Sequence, residues 1–163
     1  MISIIDSYPS IQICSLRVAR GIDHSTYDGV ITIEDSFVDE PLRIDQAECP
    51  QLVLCFDDIA SPKADWTLPD KKHIHSALKF ADELRGGSLL IHCHAGISRS
   101  SGVALAIIAK GLGAGKEKRA FKELENINPN CAPNALVIWL TDAILERGED
   151  LYKTAKSMVR LTG

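Results

Sequence analysis

A cysteine and an arginine separated by five residues are the side chains of this sequence with the most evident chemistry. They lie in the segment IHCHAGISRS, in which Cys93 follows a histidine and Arg99 precedes a serine. A cysteine thiolate is a nucleophile, and a guanidinium can donate two parallel hydrogen bonds to phosphate oxygens, which a lysine cannot do. A nucleophile and an oxyanion receptor at this spacing predict chemistry on a phosphoryl group.

The elements around this segment favour an anion-binding loop. An apolar run at Ser88–His92 predicts a buried strand directly before Cys93, and a second run at Val103–Leu112 predicts the helix that follows. A loop between a strand and a helix N-terminus can turn backbone N–H groups inward around an anion, and Gly96 permits backbone angles that a side chain would block. We expect such a loop to favour the thiolate form of Cys93. The predicted phosphate-binding residues are His94, Ala95, Gly96, Ile97, Ser98 and Arg99.

An acid that protonates the leaving oxygen would complete this chemistry, and the sequence offers aspartates for that role. The segment FDDIASP ends a predicted strand and opens a loop, and it carries Asp57 and Asp58. Asp65, further into the same loop, is a third and more distant candidate. A solvated acidic turn at a strand end is the alternative interpretation of the pair, because such turns are common.

The segment at 92–100 resembles the signature of the cysteine-dependent protein tyrosine phosphatase superfamily, His-Cys-x5-Arg-Ser/Thr, and is closest to its small dual-specificity branch. The resemblance covers about residues 50–145. It implies a phosphocysteine mechanism that hydrolyses phosphotyrosine of proteins, with phosphoserine and phosphothreonine as further substrates. It also implies that Cys93 is the nucleophile and Arg99 the phosphate ligand. Ser100 matches the hydroxyl that stabilises the departing thiolate, and His92 matches the histidine that braces the loop.

The segment with the two aspartates is similar to the Phe-Asp-Asp-x-Ala-x-Pro segment of small phosphatases related to the regenerating-liver group. In those enzymes the second aspartate is the general acid. The resemblance therefore implies that role for Asp58 and leaves Asp57 as the alternative. Trp66, in the loop that follows, would either line the pocket mouth or anchor the loop on the surface.

The remaining periodicity predicts one domain over residues 1–163. The predicted strands are Met1–Ile5, Ile11–Val18, Val30–Glu34, Leu52–Phe56 and Ser88–His92. The predicted helices are Asp70–Leu84, Val103–Leu112, Lys116–Asn126, Asn134–Arg147 and Asp150–Leu161. Strands first, then strand–helix alternation, then helices predict a three-layer α/β domain of dual-specificity phosphatase type. Its central sheet would be mostly parallel, with four to five strands flanked by helices.

Composition and charge exclude several classes of protein. With 163 residues, 45% hydrophobic and 25% charged, the chain is neither a disordered tail nor a collagen-like fibre. The formal net charge of −4 and the absence of a basic stripe argue against a nucleic-acid partner. The apolar runs are far shorter than the ~20 residues that span a bilayer, so we expect no membrane partner. Five cysteines without a CxxC pair argue against a disulfide framework and predict a cytoplasmic protein with reduced thiols. We also expect a monomer.

We therefore interpret the sequence as a metal-independent phosphatase that needs no cofactor and acts on a phosphorylated protein. A zinc site at His92, Cys93 and His94 is disfavoured, because these side chains cannot all converge if the loop wraps around a phosphate. Two alternatives remain open. An inositol- or lipid-phosphate phosphatase would carry lysines between Cys93 and Arg99, and this sequence has none there. A non-catalytic pseudophosphatase that binds phosphorylated ligands would need neither nucleophile nor acid.

Overall fold

A computed structural model of the chain describes residues 7–37 and 39–163. Its centre is a sheet of four parallel strands, which confirms the predicted α/β class. The strands are β1 (Ser10–Ser15), β2 (Gly29–Glu34), β3 (Gln51–Cys55) and β4 (Ser88–Cys93). Their order across the sheet is β1-β4-β2-β3. The predicted strand at Met1–Ile5 lies outside the described residues.

Helices cover both faces of this sheet. They are α1 (Leu16–Gly21), α2 (Lys71–Glu83), α3 (Arg99–Leu112), α4 (Glu117–Ile127), α5 (Ala135–Ile144) and α6 (Asp150–Met158). Ile31 and Ile91 point from the strands into the main core, which they share with α2 to α6. Val30 and Leu90 point to the opposite face, where a smaller cluster includes Ala19 of α1. None of the described helices is long and apolar enough to cross a membrane.

Two predicted boundaries next to the site are wrong. The strand predicted at Ile11–Val18 ends at Ser15, whose hydroxyl caps α1 by accepting a hydrogen bond from Val18 N at 3.3 Å. Leu16 and Val18 are spaced two apart like residues of a strand, so the sequence pattern conceals the start of the helix. Helix α3 begins at Arg99, whereas the sequence pattern predicts a start at Val103. The first turn of α3 contains buried polar residues, so no apolar pattern marks it in the sequence.

Other helix boundaries follow the capping residues. Asp70 was predicted to start α2, and its carboxylate accepts hydrogen bonds from the backbone N–H groups of Lys72 and His73 at 2.7 and 3.3 Å. Towards the C-terminus, the helices predicted to end at Arg147 and Leu161 end at Ile144 and Met158.

The carboxyl ends of the strands meet at one edge of the sheet, because all four strands run parallel. Strand β4 ends at Cys93 and lies between β1 and β2. Strand β3 ends at Cys55, two residues before Asp57. Ligands of open parallel sheets bind in the crevice outside these ends. The topology therefore brings the predicted nucleophile and the predicted acid segment to one place.

Candidate active site

A pocket of about 920 Å³ opens at this edge of the sheet. Its walls come from the chain after β2, the loop after β3, the loop after β4 and, near the C-terminus, Thr162. Asp57, Asp58, Cys93 and Arg99 all line it. The structure thus brings the predicted nucleophile, the predicted phosphate ligand and both aspartates of the pair into a single pocket.

The loop after β4 has its carbonyl groups tied to donors outside the cradle. His94 O accepts a hydrogen bond from Leu16 N (3.0 Å), and Gly96 O accepts one from Asn128 Nδ2 (2.9 Å). Ile97 O accepts one from Ala132 N (3.1 Å), and Ser98 O accepts one each from Gly102 N (2.9 Å) and Asn134 N (3.2 Å). In a trans peptide the N–H points opposite to the carbonyl of the same unit. These bonds therefore aim four amide groups, those of Ala95, Ile97, Ser98 and Arg99, toward the interior of the loop. The N-terminus of α3 adds its dipole to the same space, which favours an anion.

Gly96 is the one position of this loop that requires glycine. Its φ is +72°, a left-handed conformation that side chains disfavour. A Cβ atom there would lie 2.5 Å from the backbone carbon of Cys14 and 2.7 Å from the backbone nitrogen of Ser15. The end of β1 therefore packs directly against the loop, and only a residue without a side chain fits between them.

Cys93 lies at the base of the loop and is 2% exposed. Its Sγ accepts a hydrogen bond from Gly96 N at 3.2 Å and lies 3.3 Å from Ser100 Oγ. Both groups are placed to donate a hydrogen bond to a sulfur at this position. The nearby Cys14 has a different environment: burial raises the pKa of its thiol to about 11, and Cys93 adds to the rise. Cys14 is therefore a neutral thiol at physiological pH.

The two histidines next to the cysteine do not converge on a metal. His92 is fully buried, and its Nε2 hydrogen-bonds the hydroxyl of Thr32 at 2.8 Å. Burial lowers the pKa of His92 to about 4, so the ring is neutral and braces β4 against β2. His94 is exposed on the other side of the cysteine. Across residues 7–37 and 39–163, no group of three or more His, Cys, Asp or Glu side chains is arranged to hold a metal ion.

Arg99 lines the pocket and is 5% exposed. Its Nη1 donates to Phe56 O at 2.9 Å and lies 2.5 Å from Asp35 Oδ1. Its Nε is buried without a hydrogen-bond partner in the described part of the chain. A buried guanidinium N–H without an acceptor is unfavourable, because it has lost its water. An oxyanion bound in the loop would supply that acceptor.

The two adjacent aspartates have opposite environments. Asp57 is 3% exposed; its carboxylate accepts from Ser36 N at 2.9 Å, from the Ser36 hydroxyl and from Thr67 N at 2.7 Å. Burial raises the pKa of Asp57, but the hydrogen bonds from Ser36 and Thr67, aided by Arg99, outweigh it and lower the pKa below its usual value. Asp57 is thus an ionised structural group that closes the loop between residues 57 and 67.

Asp58, by contrast, is exposed at the pocket wall. Its Oδ1 accepts hydrogen bonds from Ser98 Oγ at 2.7 Å and from Asn134 Nδ2 at 3.0 Å. Both hydrogen bonds that the described residues make to this carboxylate end on the same oxygen. The arrangement fixes the side chain and leaves Oδ2 free for another partner.

Asn134 is a site residue whose role the sequence did not reveal. The residue was predicted only as a helix start, and its Oδ1 does cap α5 by accepting from Leu136 N and Val137 N at 3.0 and 3.1 Å. This cap turns the amide nitrogen toward the acid loop, where it donates to Asp58 Oδ1 and to Ile59 O. Thr162, Asn128 and Asp35 were missed as well. Their contacts with the loop and with Arg99 join distant parts of the chain, which no local pattern records.

Exposed apolar side chains surround the pocket mouth. Phe37, Trp66 and Ile97 are 66%, 43% and 39% exposed, and all three line the pocket. Trp66 therefore lies at the pocket, while Lys63 covers its ring with the ammonium 3.6 Å from the ring centroid. Asp65, the third acid candidate, lies on the same rim with a positive φ of 64°.

Sequence comparison supports the family resemblance over part of the chain. No protein-family model matches the chain. Dual specificity protein phosphatase 15 of Rattus norvegicus is 36% identical over 69 residues, which cover 38% of this chain and 29% of that protein. The chain thus spans less than a third of the length of this curated relative.

Structural comparison extends the likeness to the whole described fold. A crystal structure of DUSP15 matches with a TM-score of 0.65 at 20% identity, covering 97% of this chain and 96% of that one. A crystal structure of PTPMT1 in complex with PI(5)P matches with a TM-score of 0.59 at 17% identity, covering 88% and 93%. The fold is therefore that of the dual-specificity phosphatases. The chain thus has the fold of these phosphatases, and 69 of its residues are similar in sequence to one of them.

Proposed function

We propose that the chain hydrolyses phosphomonoesters through a phosphocysteine intermediate, with phosphotyrosine of proteins as its main substrate. Phosphoserine and phosphothreonine are further substrates. The observation that carries the proposal is the position of Cys93 Sγ at the base of a loop whose carbonyls are turned away from it. The unpartnered Nε of Arg99 supports it, because a bound phosphate would complete its hydrogen bonding.

In the first step the Cys93 thiolate attacks phosphorus, and the bond from phosphorus to the leaving oxygen breaks. Asp58 gives its proton to that oxygen, so the products are an alcohol or phenol and a phosphocysteine. The inward N–H groups of the loop and Arg99 hold the three other phosphate oxygens while charge spreads over them.

In the second step a water molecule attacks phosphorus and the Asp58 carboxylate takes its proton. The sulfur–phosphorus bond breaks, inorganic phosphate leaves and the Cys93 thiolate returns. Ser100 Oγ, 3.3 Å from Sγ, stabilises the departing thiolate. The net reaction converts one phosphomonoester and one water into an alcohol and phosphate, and in this scheme no metal takes part.

The environments of the two aspartates support Asp58 as the acid. A general acid must reach the leaving oxygen, and Asp58 is exposed in the pocket with an uncommitted Oδ2. Asp57 is buried, and its two oxygens accept hydrogen bonds from Ser36 and Thr67. Its pKa is also lowered, so it holds a proton less readily than an ordinary aspartate.

The pocket rim supports an aromatic phosphate. Phe37, Trp66 and Ile97 offer apolar surface around the mouth, and an aromatic ring attached to the phosphate can stack there. A serine or threonine phosphate would place its phosphorus in the same loop but would make fewer contacts with this rim.

A phosphoinositide is the second candidate substrate, because one structural neighbour is PTPMT1 in complex with PI(5)P. The charges of the rim argue against it. Asp35, Asp58 and Asp65 line the pocket, and Arg99 is the one lysine or arginine among its described lining residues. A headgroup with several phosphates would meet these carboxylates, so its extra negative charges would be repelled.

The test is hydrolysis of p-nitrophenyl phosphate, with and without EDTA, by the wild type and by Cys93→Ser. Cys55→Ser is the matched control, because Cys55 is an exposed thiol outside the pocket lining. We expect EDTA-insensitive turnover in the wild type and the control, and none in Cys93→Ser. Turnover that survives in Cys93→Ser contradicts the nucleophile assignment. Phosphate binding without turnover in the wild type indicates a phospho-ligand binding pseudophosphatase.

Substrate class is tested next with three phosphates at equal concentration. These are a phosphotyrosine peptide, the same peptide with phosphoserine, and a short-chain phosphoinositide in solution. We expect the highest kcat/KM for phosphotyrosine. A preference for the phosphoinositide would show that the acidic rim does not select the substrate as proposed.

A further inference from the structure

Residues near the C-terminus pair with the segment that precedes α5 and reach the pocket. Thr162 N donates to Pro133 O at 3.2 Å, and Ala135 N donates to Thr162 O at 2.8 Å. The hydroxyl of Thr162 also lies 2.8 Å from Ala132 O, to which it can donate. Thr162 is thereby held by its backbone next to Asn134, the residue that binds Asp58.

The Thr162 hydroxyl contacts the hydroxyl of Ser98, and Ser98 Oγ donates to Asp58 Oδ1 at 2.7 Å. Ser98 precedes the first residue of α3, where a serine commonly caps the helix, but its side chain makes no capping bond. Its hydroxyl is instead directed away from the helix, toward Asp58 and Thr162. Ser98 is 6% exposed, so water has little access to this hydroxyl.

A serine hydroxyl carries one hydrogen and can rotate it toward any acceptor in reach. The Thr162 hydroxyl also has a single hydrogen, which it can give either to Ala132 O or to Ser98 Oγ; when it turns to Ser98 Oγ, the hydrogen of Ser98 stays with Asp58 and the two bonds polarise each other. Without the Thr162 oxygen, Ser98 Oγ would lose the only side-chain partner it has besides Asp58 in the described residues. Its orientation toward the carboxylate would then be less well defined.

We propose that Thr162 is a positioning residue for the general acid and that it acts on Asp58 through Ser98. This proposal rests on the proposed function. Ser98 and Asn134 both donate to Asp58 Oδ1, so that Oδ2 is left to deliver the proton. Thr162 keeps the Ser98 bond in place. A segment 64 residues away from the phosphate-binding loop thus sets the geometry of proton transfer.

The experiment compares two phosphates that differ in their need for an acid. The leaving group of p-nitrophenyl phosphate departs readily without protonation, whereas that of phenyl phosphate depends on it. We expect Thr162→Val to lower kcat/KM for phenyl phosphate by roughly 3- to 10-fold, the effect of one hydrogen bond, and to change that for p-nitrophenyl phosphate less than about twofold. Thr162→Ser restores the hydroxyl and should recover most of the loss.

Two controls separate positioning from a general effect on structure. Thr154→Val makes the same change on α6, at a residue outside the pocket lining, and should leave both substrates unaffected. In an Asp58→Asn background, Thr162→Val should have no further effect on phenyl phosphate, because the acid on which it acts is gone.

Equal losses for both phosphates, no loss for either, or a full additional loss in the Asp58→Asn background would overturn the role of Thr162. None of these results touches the proposed function, which stands or falls with wild-type turnover and its loss in Cys93→Ser.

Discussion

The buried His92 makes the stability of the fold depend on pH in a way that can be calculated. Burial lowers the pKa of this ring to about 4, whereas an exposed histidine has a pKa near 6.5. The unfolded chain therefore binds a proton below pH 6.5 that the folded chain does not bind until about pH 4. The free energy of unfolding must fall as the pH falls through this interval.

The magnitude follows from the pKa difference. About 2.5 pH units at 1.36 kcal/mol per unit correspond to about 3 kcal/mol when the loss is complete, and to about 2 kcal/mol at pH 5.0 relative to pH 7.5. This is a large fraction of the stability of an ordinary domain. The effect should therefore be visible in urea unfolding at pH 7.5, 6.0 and 5.0.

The comparison that isolates this group is His92→Gln, because glutamine can keep a hydrogen bond to Thr32 and does not titrate. The variant starts less stable but should lose about 2 kcal/mol less than the wild type between pH 7.5 and 5.0. His75→Gln is the matched control, since His75 is exposed on α2, and its pH dependence should equal that of the wild type. If wild type and His92→Gln lose the same free energy over this range, the ring is not held neutral and our reasoning on its burial is wrong.

The remaining predictions concern the acid pair and the loop. Asp58→Asn should lower the rate with phenyl phosphate by about 10²–10⁴ while the melting temperature stays near that of the wild type. Asp57→Asn should instead lower the stability by about 1–3 kcal/mol, because it disturbs the hydrogen bonds from Ser36 and Thr67. A larger rate loss in a well-folded Asp57→Asn would reverse the assignment. Gly96→Ala should lower the stability by at least about 1–2 kcal/mol, because alanine disfavours the φ of +72° at this position. We expect the variant to bind phosphate more weakly as well. An unchanged phosphate affinity in calorimetric titration would refute the close packing of the loop against β1.

The sequence predicts the parts of the site that lie close together along the chain. The strand, loop and helix around Cys93 come from hydrophobic runs and from glycine, which are local properties. The acid segment also follows a strand, so its placement at the same sheet edge is a consequence of parallel topology. The resemblance favours Asp58 over Asp57 as the acid, but local sequence patterns do not separate the two, because the environment of Asp57 depends on Ser36 and Thr67, which reach it from two different loops.

The parts that sequence reasoning missed are contacts between distant segments. The sequence predicts Asn134 as a helix start, and the structure confirms that its side chain caps α5. Its amide nitrogen also donates to Asp58, which lies 76 residues earlier in the chain. The polar first turn of α3 shows a second limit. It is buried because it forms the floor of the site, so a pattern based on apolar spacing places the helix start too late.

Among the described residues, the start of α3 has no side-chain cap and Nε of Arg99 has no hydrogen-bond partner, so the fold leaves donors without acceptors at the site. Under the proposed function, a bound phosphate would supply acceptors to these donors and would stabilise the fold as well as react. A ligand at 100 times its dissociation constant stabilises a protein by about 2.7 kcal/mol. The stability of the folded protein should therefore depend on the buffer. Protein kept in phosphate should resist heat and proteolysis better than protein kept in a buffer without oxyanions.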